Sequence, residues 1–131
     1  MASVKTHMMF QGDGEKAVDL YASVFKDFQV GGVERYGEGE PVPAGTLKAA
    51  QVSFAGHELI LFNSPPMHDF TFTPSISLYI DLETPEELEA AFAKLAAGGA
   101  VMMPLDDYGF SKRFGWLADR FGVSWQLNLP G

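Results

Sequence analysis

Apolar residues recur at helical spacing in two stretches of the chain. The clearer stretch has apolar residues at positions i, i+3, i+4 and i+7: Leu88, Ala91, Phe92 and Leu95. Such a stripe predicts one buried helix face. Residues 84–87 supply an N-cap threonine, a proline at the first helical position and a glutamate at the third, which is typical of a helix start. Gly98 and Gly99 follow as a stop signal, so we expect a helix over 84–97.

The same spacing occurs a second time, earlier in the chain. Its members lie 70 residues before their counterparts: Val18, Tyr21, Ala22 and Phe25. Asp13 and Gly14 precede this stripe as its cap. Self-similarity at a fixed offset is typical of two copies of one supersecondary unit, so we predict an internal repeat.

Short segments that alternate between apolar and polar residues surround both predicted helices. The segment 75–82 alternates strictly between two sets: Ile76, Leu78, Ile80 and Leu82, and Ser75, Ser77, Tyr79 and Asp81. The predicted strands are 4–11, 29–36, 47–54 and 57–63 in the first half and 75–82, 100–104, 112–118 and 123–129 in the second. Each half therefore has the order βαβββ. We expect one domain with module 1 at about 1–63, a linker at 64–69 and module 2 at about 70–131.

The composition narrows the class of protein. Hydrophobic residues make up 47% of the 131 residues and charged residues 20%, as in soluble globular domains. The net charge of -8 offers no general attraction for nucleic acid phosphates or an anionic membrane surface. The chain has no apolar run of membrane-spanning length, no secretory signal pattern and no cysteine. We therefore expect a cytoplasmic protein that binds neither nucleic acid nor membrane and uses no thiol chemistry.

Two segments carry a resemblance to a known family. They are residues 17–25 (AVDLYASVF) on the first predicted helix and residues 115–126 (GWLADRFGVSWQ) near the carboxyl end. Together with the repeated βαβββ order, they resemble the vicinal oxygen chelate superfamily, which contains glyoxalase, bleomycin-resistance and dioxygenase proteins. More narrowly, the chain resembles the PhnB-like branch, which carries the label 3-demethylubiquinone-9 3-methyltransferase-like.

The resemblance implies an α+β fold in which two βαβββ modules form curved mixed sheets around a cavity, with the helices outside, and it implies a homodimer. Alternation then gives each strand a cavity face. The expected cavity residues are Glu58, Ile60 and Phe62 in the fourth strand, Ser75, Ser77 and Tyr79 in the fifth, and Ser124, Gln126 and Asn128 in the eighth. For the first strand we favour one of two sets, which a shift of one residue would exchange. The favoured set is His7, Met9 and Gln11, and the alternative is Val4, Thr6, Met8 and Phe10.

The resemblance also raises the question of a metal ion. Enzymes of this superfamily hold a divalent metal with one residue from each of the first, fourth, fifth and eighth strands. Those positions fall here on His7, Ile60, Ser75 and Gln126, which make a poor ligand set for a firmly bound ion. We therefore expect no cofactor. The alternative is a divalent metal on His7, Glu58 and Gln126; otherwise His7 is a hydrogen-bonded packing residue and Glu58 is solvent-exposed.

Aromatic and basic residues gather in the segment 107–116. They are Tyr108, Phe110, Phe114 and Trp116, with Lys112 and Arg113. At the mouth of a cavity, Lys112 or Arg113 could clamp a carboxylate or phosphate, with Tyr108, Phe110 or Trp116 as an apolar wall. The alternative is a solvated hairpin whose aromatic rings pack in the core or at a dimer interface.

The segment 12–17 matches the G-x-G-x-x-A fingerprint of dinucleotide-binding proteins. That fold needs strands and helices that alternate around a parallel sheet, whereas this chain has two helical stripes among about eight strands. We therefore expect the glycines only to relieve a tight turn. The same element count leaves no framework for S-adenosylmethionine, so we treat the methyltransferase label as a name and not an activity.

These observations favour a PhnB-like protein that binds a small organic ligand in its cavity without a firmly held metal. One alternative is a divalent-metal-dependent lyase, isomerase or dioxygenase, with His7 and either Glu58 or Gln126 on the ion. A second alternative, implied by the bleomycin-resistance relatives, is sequestration of a drug or metabolite by aromatic cavity walls.

Overall fold

The computed structural model describes residues 1–131 and contains eight strands and two helices. Their bounds in chain order are β1 Thr6–Phe10, α1 Gly14–Val24, β2 Gln29–Arg35, β3 Leu47–Phe54, β4 His57–Asn63, β5 Leu78–Asp81, α2 Pro85–Ala96, β6 Ala100–Asp106, β7 Arg113–Ala118 and β8 Ser124–Leu129. This order confirms the α+β class and the repeated βαβββ pattern. Neither helix is long and apolar enough to cross a membrane.

The chain divides into two compact units, residues 1–69 and 70–131. The first unit has a sheet of strand order β1-β4-β3-β2, and the second has a sheet of order β5-β8-β7-β6. In each sheet the first two strands of that order are parallel and the remaining neighbours are antiparallel. Both sheets are therefore mixed and have the same topology, as expected for two copies of one unit.

Helix α1 packs on β3 and β4 of the first sheet. Ala17 and Tyr21 are buried on its inner face, and beyond the helix the Phe25 ring stacks on Phe54 with 4.5 Å between centroids. The predicted stripe included Ala22, which is exposed. Ala17 takes its place because residues four apart on a helix, such as Ala17 and Tyr21, share a face.

Helix α2 begins where the capping pattern predicts. The Thr84 hydroxyl oxygen accepts a hydrogen bond from the Glu87 N–H at 3.1 Å, and Pro85 is the first helical residue. Three apolar residues of the predicted stripe are buried: Leu88, Ala91 and Leu95. The helix packs on β6, β7 and β8 and so covers one face of the second sheet.

Strand β5 is shorter than predicted. The sequence predicts a strand from Ser75 to Leu82, but residues 74–76 form a turn and bend, and Ile76 is 77% exposed. The strand begins at Leu78, opposite Trp125 of β8. Because β5 pairs only with β8, and β8 begins at Ser124, residues before 77 have no strand to pair with.

The glycines of the dinucleotide-like segment shape the turn from β1 into α1. The N–H groups of Gly12 and Gly14 both donate to Asn63 Oδ1, at 2.8 and 3.1 Å. Gly12 has φ +117°, a conformation that other residues rarely adopt. These N–H groups are therefore used within the first unit, and the turn leads into a mixed sheet rather than a doubly wound parallel one.

Candidate functional site

The second sheet has a face opposite α2, which we term the far face. Strand register places three rows of side chains across it. The rows are Ser124, Ala118 and Ala100; Tyr79, Gln126, Trp116 and Met103; and Asp81, Asn128, Phe114 and Asp106. Alternation sends the intervening residues, such as Trp125 and Leu127, toward α2, where both are fully buried. The far face therefore carries most of the candidate residues predicted in the second half of the chain.

A hydrogen-bonded network joins several of these candidates. The Trp116 indole Nε1–H donates to Ser124 Oγ at 2.8 Å, and Ser124 Oγ lies 2.6 Å from Ser77 Oγ. The Gln126 Nε2 amide also donates to Ser77 Oγ, at 3.2 Å. The structure thus brings together Ser77 and Gln126, which the sequence predicted for one face, and adds Trp116 to them. Ser75 is not part of this network, because it lies in the turn before β5 and hydrogen-bonds to Thr73.

Aromatic side chains form a cluster beside this network. The buried Phe114 ring has neighbours with centroids at 4.9 Å (Phe110), 6.1 Å (Tyr79) and 6.2 Å (Tyr108). The Tyr108 hydroxyl donates to the Pro104 carbonyl at 2.6 Å, which fixes that ring. Tyr79 and Phe110 remain 51% and 65% exposed. The cluster therefore presents apolar area together with two rings that are available to a ligand.

The third row of the far face contains two residues that the sequence did not mark as candidates, Asp81 and Asp106, beside the predicted Asn128. Asn128 Nδ2 donates to Asp81 Oδ1 at 2.8 Å, and Phe114 lies opposite Asn128 on β7. Partial burial of Tyr79, and secondly the negative charge of Asp81, raise the pKa of the Tyr79 phenol above its ordinary value. Alternation already placed Asp81 and Asn128 on polar faces, but only the parallel pairing of β5 with β8 shows that the two meet.

Arg113 does not join the aromatic cluster. It pairs with Leu129 and points to the α2 side of the sheet, where its guanidinium lies 3.7 Å from Glu89 of the helix. Trp116 is three residues further along β7 and therefore lies on the opposite face. The predicted clamp of Arg113 with Tyr108 and Trp116 is therefore wrong, because the sheet separates the guanidinium from both rings.

In the first unit, His7 lies on the face opposite α1. Met8 and Phe10 are buried at 6% and 3% exposure, whereas His7 is exposed, in agreement with the favoured register of the first strand. His7 is paired with Ile60 of β4, and its ring centroid lies 5.8 Å from that of Phe62. The imidazole is therefore solvent-exposed, with two apolar side chains of β4 beside it.

Glu58 lies on the same face as Ile60 and is exposed. Its carboxylate is 4.0 Å from Lys5 Nζ, a long contact between two solvated groups. A shallow groove of about 200 Å³ lies beside this pair, with polar walls that include Gln29, Gln51 and Ser53. This groove has none of the aromatic character of the far face of the second sheet.

The positions expected to hold a divalent metal do not fit one. Of the four positions, only His7 carries a strong ligand atom, and it is paired with Ile60. Isoleucine offers no ligand atom, and serine and glutamine offer only neutral oxygens. The chain forms no group of three or more His, Asp or Glu side chains that could hold an ion. The donor set is therefore too small and too neutral for tight binding.

Comparison with known proteins gives a consistent assignment. Residues 2–128 match the family described as 3-demethylubiquinone-9 3-methyltransferase. The solved structure of the PhnB protein from Bacillus cereus is similar, with 44% identity, a TM-score of 0.91 and coverage of 98% of this chain and 99% of that one. A glyoxylase/bleomycin resistance protein/dioxygenase domain from Frankia has 16% identity and a TM-score of 0.70 over 100% and 93% of the two chains, which shows a shared fold.

A curated relative, the protein YjdN from Escherichia coli, is 28% identical over 91 residues. That match covers 70% of this chain and 61% of YjdN, so the chain spans about three-fifths of that relative's length. The repeated βαβββ units, the match over residues 2–128 and the PhnB structure agree with one another. The chain belongs to the 3-demethylubiquinone-9 3-methyltransferase family, in its PhnB-like branch, and shares the fold of the glyoxylase/bleomycin resistance protein/dioxygenase domain.

Proposed function

We propose that this protein binds a small organic ligand on the far face of its second sheet, without a firmly held metal ion. The observation that carries the proposal is the combination of the Trp116–Ser124–Ser77–Gln126 network with the aromatic cluster around Phe114. Small-molecule sites typically combine aromatic walls with a few oriented polar groups, and this face has both.

The hydrogen-bonding groups of the network are suited to recognition. Trp116 donates to Ser124, Gln126 donates to Ser77, and one of the two serine hydroxyls donates to the other, so both serine oxygens are held in place. Residues 70–131 contain no histidine that could act as a base on Ser77 or Ser124. The composition of the far face therefore favours binding over serine-based group transfer.

The two tryptophans provide a direct test of ligand binding. Trp116 lies on the far face, whereas Trp125 is fully buried on the α2 side with Nε1 3.0 Å from Asp119 Oδ2. Each indole N–H gives one cross-peak in a ¹H–¹⁵N spectrum, and Trp116→Phe identifies which peak is which. A set of small aromatic acids, alcohols and amines would be titrated into the full-length protein.

We expect at least one compound to shift the Trp116 indole peak saturably while the Trp125 peak stays in place. Gln126→Leu should weaken that binding because it removes an amide from the network, and the control Gln29→Leu, in the polar groove of the first unit, should not. The proposal is wrong if no compound shifts Trp116, or if Gln29→Leu weakens binding and Gln126→Leu does not.

We also propose, from the family resemblance, that the protein is a cytoplasmic homodimer. Light scattering after size exclusion should then give twice the chain mass of 14.3 kDa. Fractionation of cells that express the full chain should recover it with the cytoplasmic markers. A monomeric mass at micromolar concentration would contradict the dimer.

A further inference from the structure

One row of the far face has a carboxylate at each end. Asp81 on β5 is followed across the sheet by Asn128, then by Phe114, then by Asp106 on β6. Asp106 Oδ1 accepts the N–H of Asp107 at 2.8 Å, and Asp81 Oδ1 accepts the Asn128 amide. The three rows of the far face contain no lysine, arginine or histidine, so these carboxylates are not balanced by a cation within the rows.

The side chain of Asn128 has an acceptor that the protein does not satisfy. Asn128 is 9% exposed, and its Nδ2 is directed to Asp81 by a hydrogen bond of 2.8 Å. Its Oδ1 is buried and has no hydrogen-bond donor. A buried acceptor without a donor costs free energy, and its burial next to a carboxylate marks a place where an additional N–H would be stabilising.

Aromatic rings adjoin this acceptor pair. Phe114 is the neighbour of Asn128 in the row, and Tyr79 is two residues before Asp81 on the same face of β5. The faces of aromatic rings attract cations, and the attraction is strongest where water is partly excluded. The net charge of -8 adds a general attraction for cationic solutes.

We infer that the ligand of the far face is an organic ammonium compound, whose charged N–H group binds Asp81 and Asn128 Oδ1 while its apolar body lies against Tyr79 and Phe114. This inference rests on the proposed function and names the chemical class of its ligand. A protonated amine supplies the donor that Asn128 Oδ1 lacks and neutralises Asp81 at the same time. A carboxylate or phosphate ligand would instead be repelled by Asp81 and Asp106.

A pair of probes of similar shape tests the charge requirement. The full-length protein would be titrated with 2-phenylethylammonium and, separately, with 2-phenylethanol, with the Trp116 indole peak as the readout. We expect the ammonium to bind about tenfold more tightly than the alcohol, because it makes a charge-assisted contact. Raising the salt concentration should weaken binding of the ammonium but not of the alcohol.

Two variants, each of which removes one negative charge, test whether the ammonium group binds at Asp81. Asp81→Asn retains an oxygen for the Asn128 amide and should reduce the preference for the ammonium to less than about threefold. Glu38→Gln removes one negative charge from an exposed loop of the first unit and should leave that preference unchanged. If Asp81→Asn folds poorly, the salt dependence of ammonium binding to the unmodified protein still tests the charge requirement.

The outcomes separate this inference from the function on which it rests. If 2-phenylethanol shifts Trp116 as tightly as the ammonium does, the charge requirement is overturned while ligand binding at the far face stands. If Glu38→Gln lowers the preference as much as Asp81→Asn, the attraction is general and the inference is overturned. If neither probe shifts Trp116, the inference is also overturned, and the wider compound set then decides on the proposed function.

Discussion

Asn63 at the end of β4 is hydrogen-bonded to Gly14 at the start of α1, since its Oδ1 accepts the Gly14 N–H at 3.1 Å. The Nδ2 of the same side chain donates to the Leu47 carbonyl at 3.0 Å. A Cβ built on Gly14 would lie 2.7 Å from Asn63 Cβ, closer than real carbon atoms approach. One side chain thus fixes the strand-to-helix turn, the helix N-terminus and β3, and it requires glycine at position 14.

We predict that Gly14→Ala lowers the free energy of unfolding by about 1–3 kcal/mol, because Asn63 must move and its hydrogen bonds weaken. This loss should exceed any gain from the better helix propensity of alanine, which is at most about 1 kcal/mol. Urea unfolding followed by circular dichroism measures the change. The control is Gly37→Ala, whose Cβ would meet Glu40 Oε2 at 3.8 Å, an ordinary contact. Equal stabilities of the two variants would contradict the prediction.

Asp119 organises the turn before β8 in a comparable way. Its Oδ1 accepts the N–H groups of Phe121 and Val123, and its Oδ2 accepts the Trp125 indole N–H. Asp119→Asn would set an amide NH₂ against one of these donors, so we expect a loss of about 1–3 kcal/mol in the free energy of unfolding. Asp19→Asn, on the exposed side of α1, is the matched control and should change stability by less than about 0.5 kcal/mol.

These two residues also show what the sequence could predict. The string at 115–126 identified the family, and the structure shows that its Asp119 shapes the turn, while Trp116, Ser124 and Gln126 belong to the network of the far face. The faces of the fourth, fifth and eighth strands were predictable because each sheet has a helix on one face only, whereas two registers stayed open for the first strand.

The remaining features depend on contacts between distant parts of the chain. The start of β5 follows from where β8 begins, and the contact of Asp81 with Asn128 follows from their parallel pairing, neither of which has a local pattern. The separation of Arg113 from Trp116 was available from alternation alone, since residues three apart in a strand face opposite ways. The predicted clamp of Arg113 with Trp116 was based on their closeness in sequence and did not take this alternation into account.

Gly115 and Phe92 should be energetically coupled. A Cβ on Gly115 would lie 2.5 Å from Phe92 Cε2, so the Phe92 ring of helix α2 packs directly on this glycine of β7. We expect Gly115→Ala to cost about 1–3 kcal/mol and expect a smaller additional cost when Phe92→Leu is already present. A double-mutant cycle should show a coupling of at least about 0.5 kcal/mol. The same cycle with the exposed Ile76→Ala should be additive, and additivity in both cycles would contradict this packing.

The Tyr79 phenol should ionise above its ordinary pKa of 10.0, because partial burial and the Asp81 charge both disfavour the phenolate. Since folding raises this pKa, the associated stability is fully present below pH 10 and is lost as the pH rises through the folded pKa. Titration of the tyrosine ¹³Cζ resonances measures it. Asp81→Asn should lower the Tyr79 pKa only part of the way, since burial is the larger cause. A Tyr79 pKa at or below 10.0 in the unmodified protein would contradict this environment.

Ligand binding at the far face should be independent of divalent metal. His7 is the only ionisable donor among the four positions that the superfamily uses, its paired neighbour is Ile60, and Glu58 already lies beside Lys5. One imidazole does not hold a divalent ion firmly, because tight sites need three or four ligands. We therefore expect protein purified without a chelator to contain metal well below one equivalent. We also expect EDTA to leave the ligand-induced shift of the Trp116 indole peak unchanged.

His7→Ala should alter neither the metal content nor the effect of EDTA. His68→Ala is the control for incidental binding of metal by an imidazole. A full equivalent of metal that disappears in His7→Ala but persists in His68→Ala would show instead that His7 anchors an ion, with ligands recruited beyond its neighbours in β4.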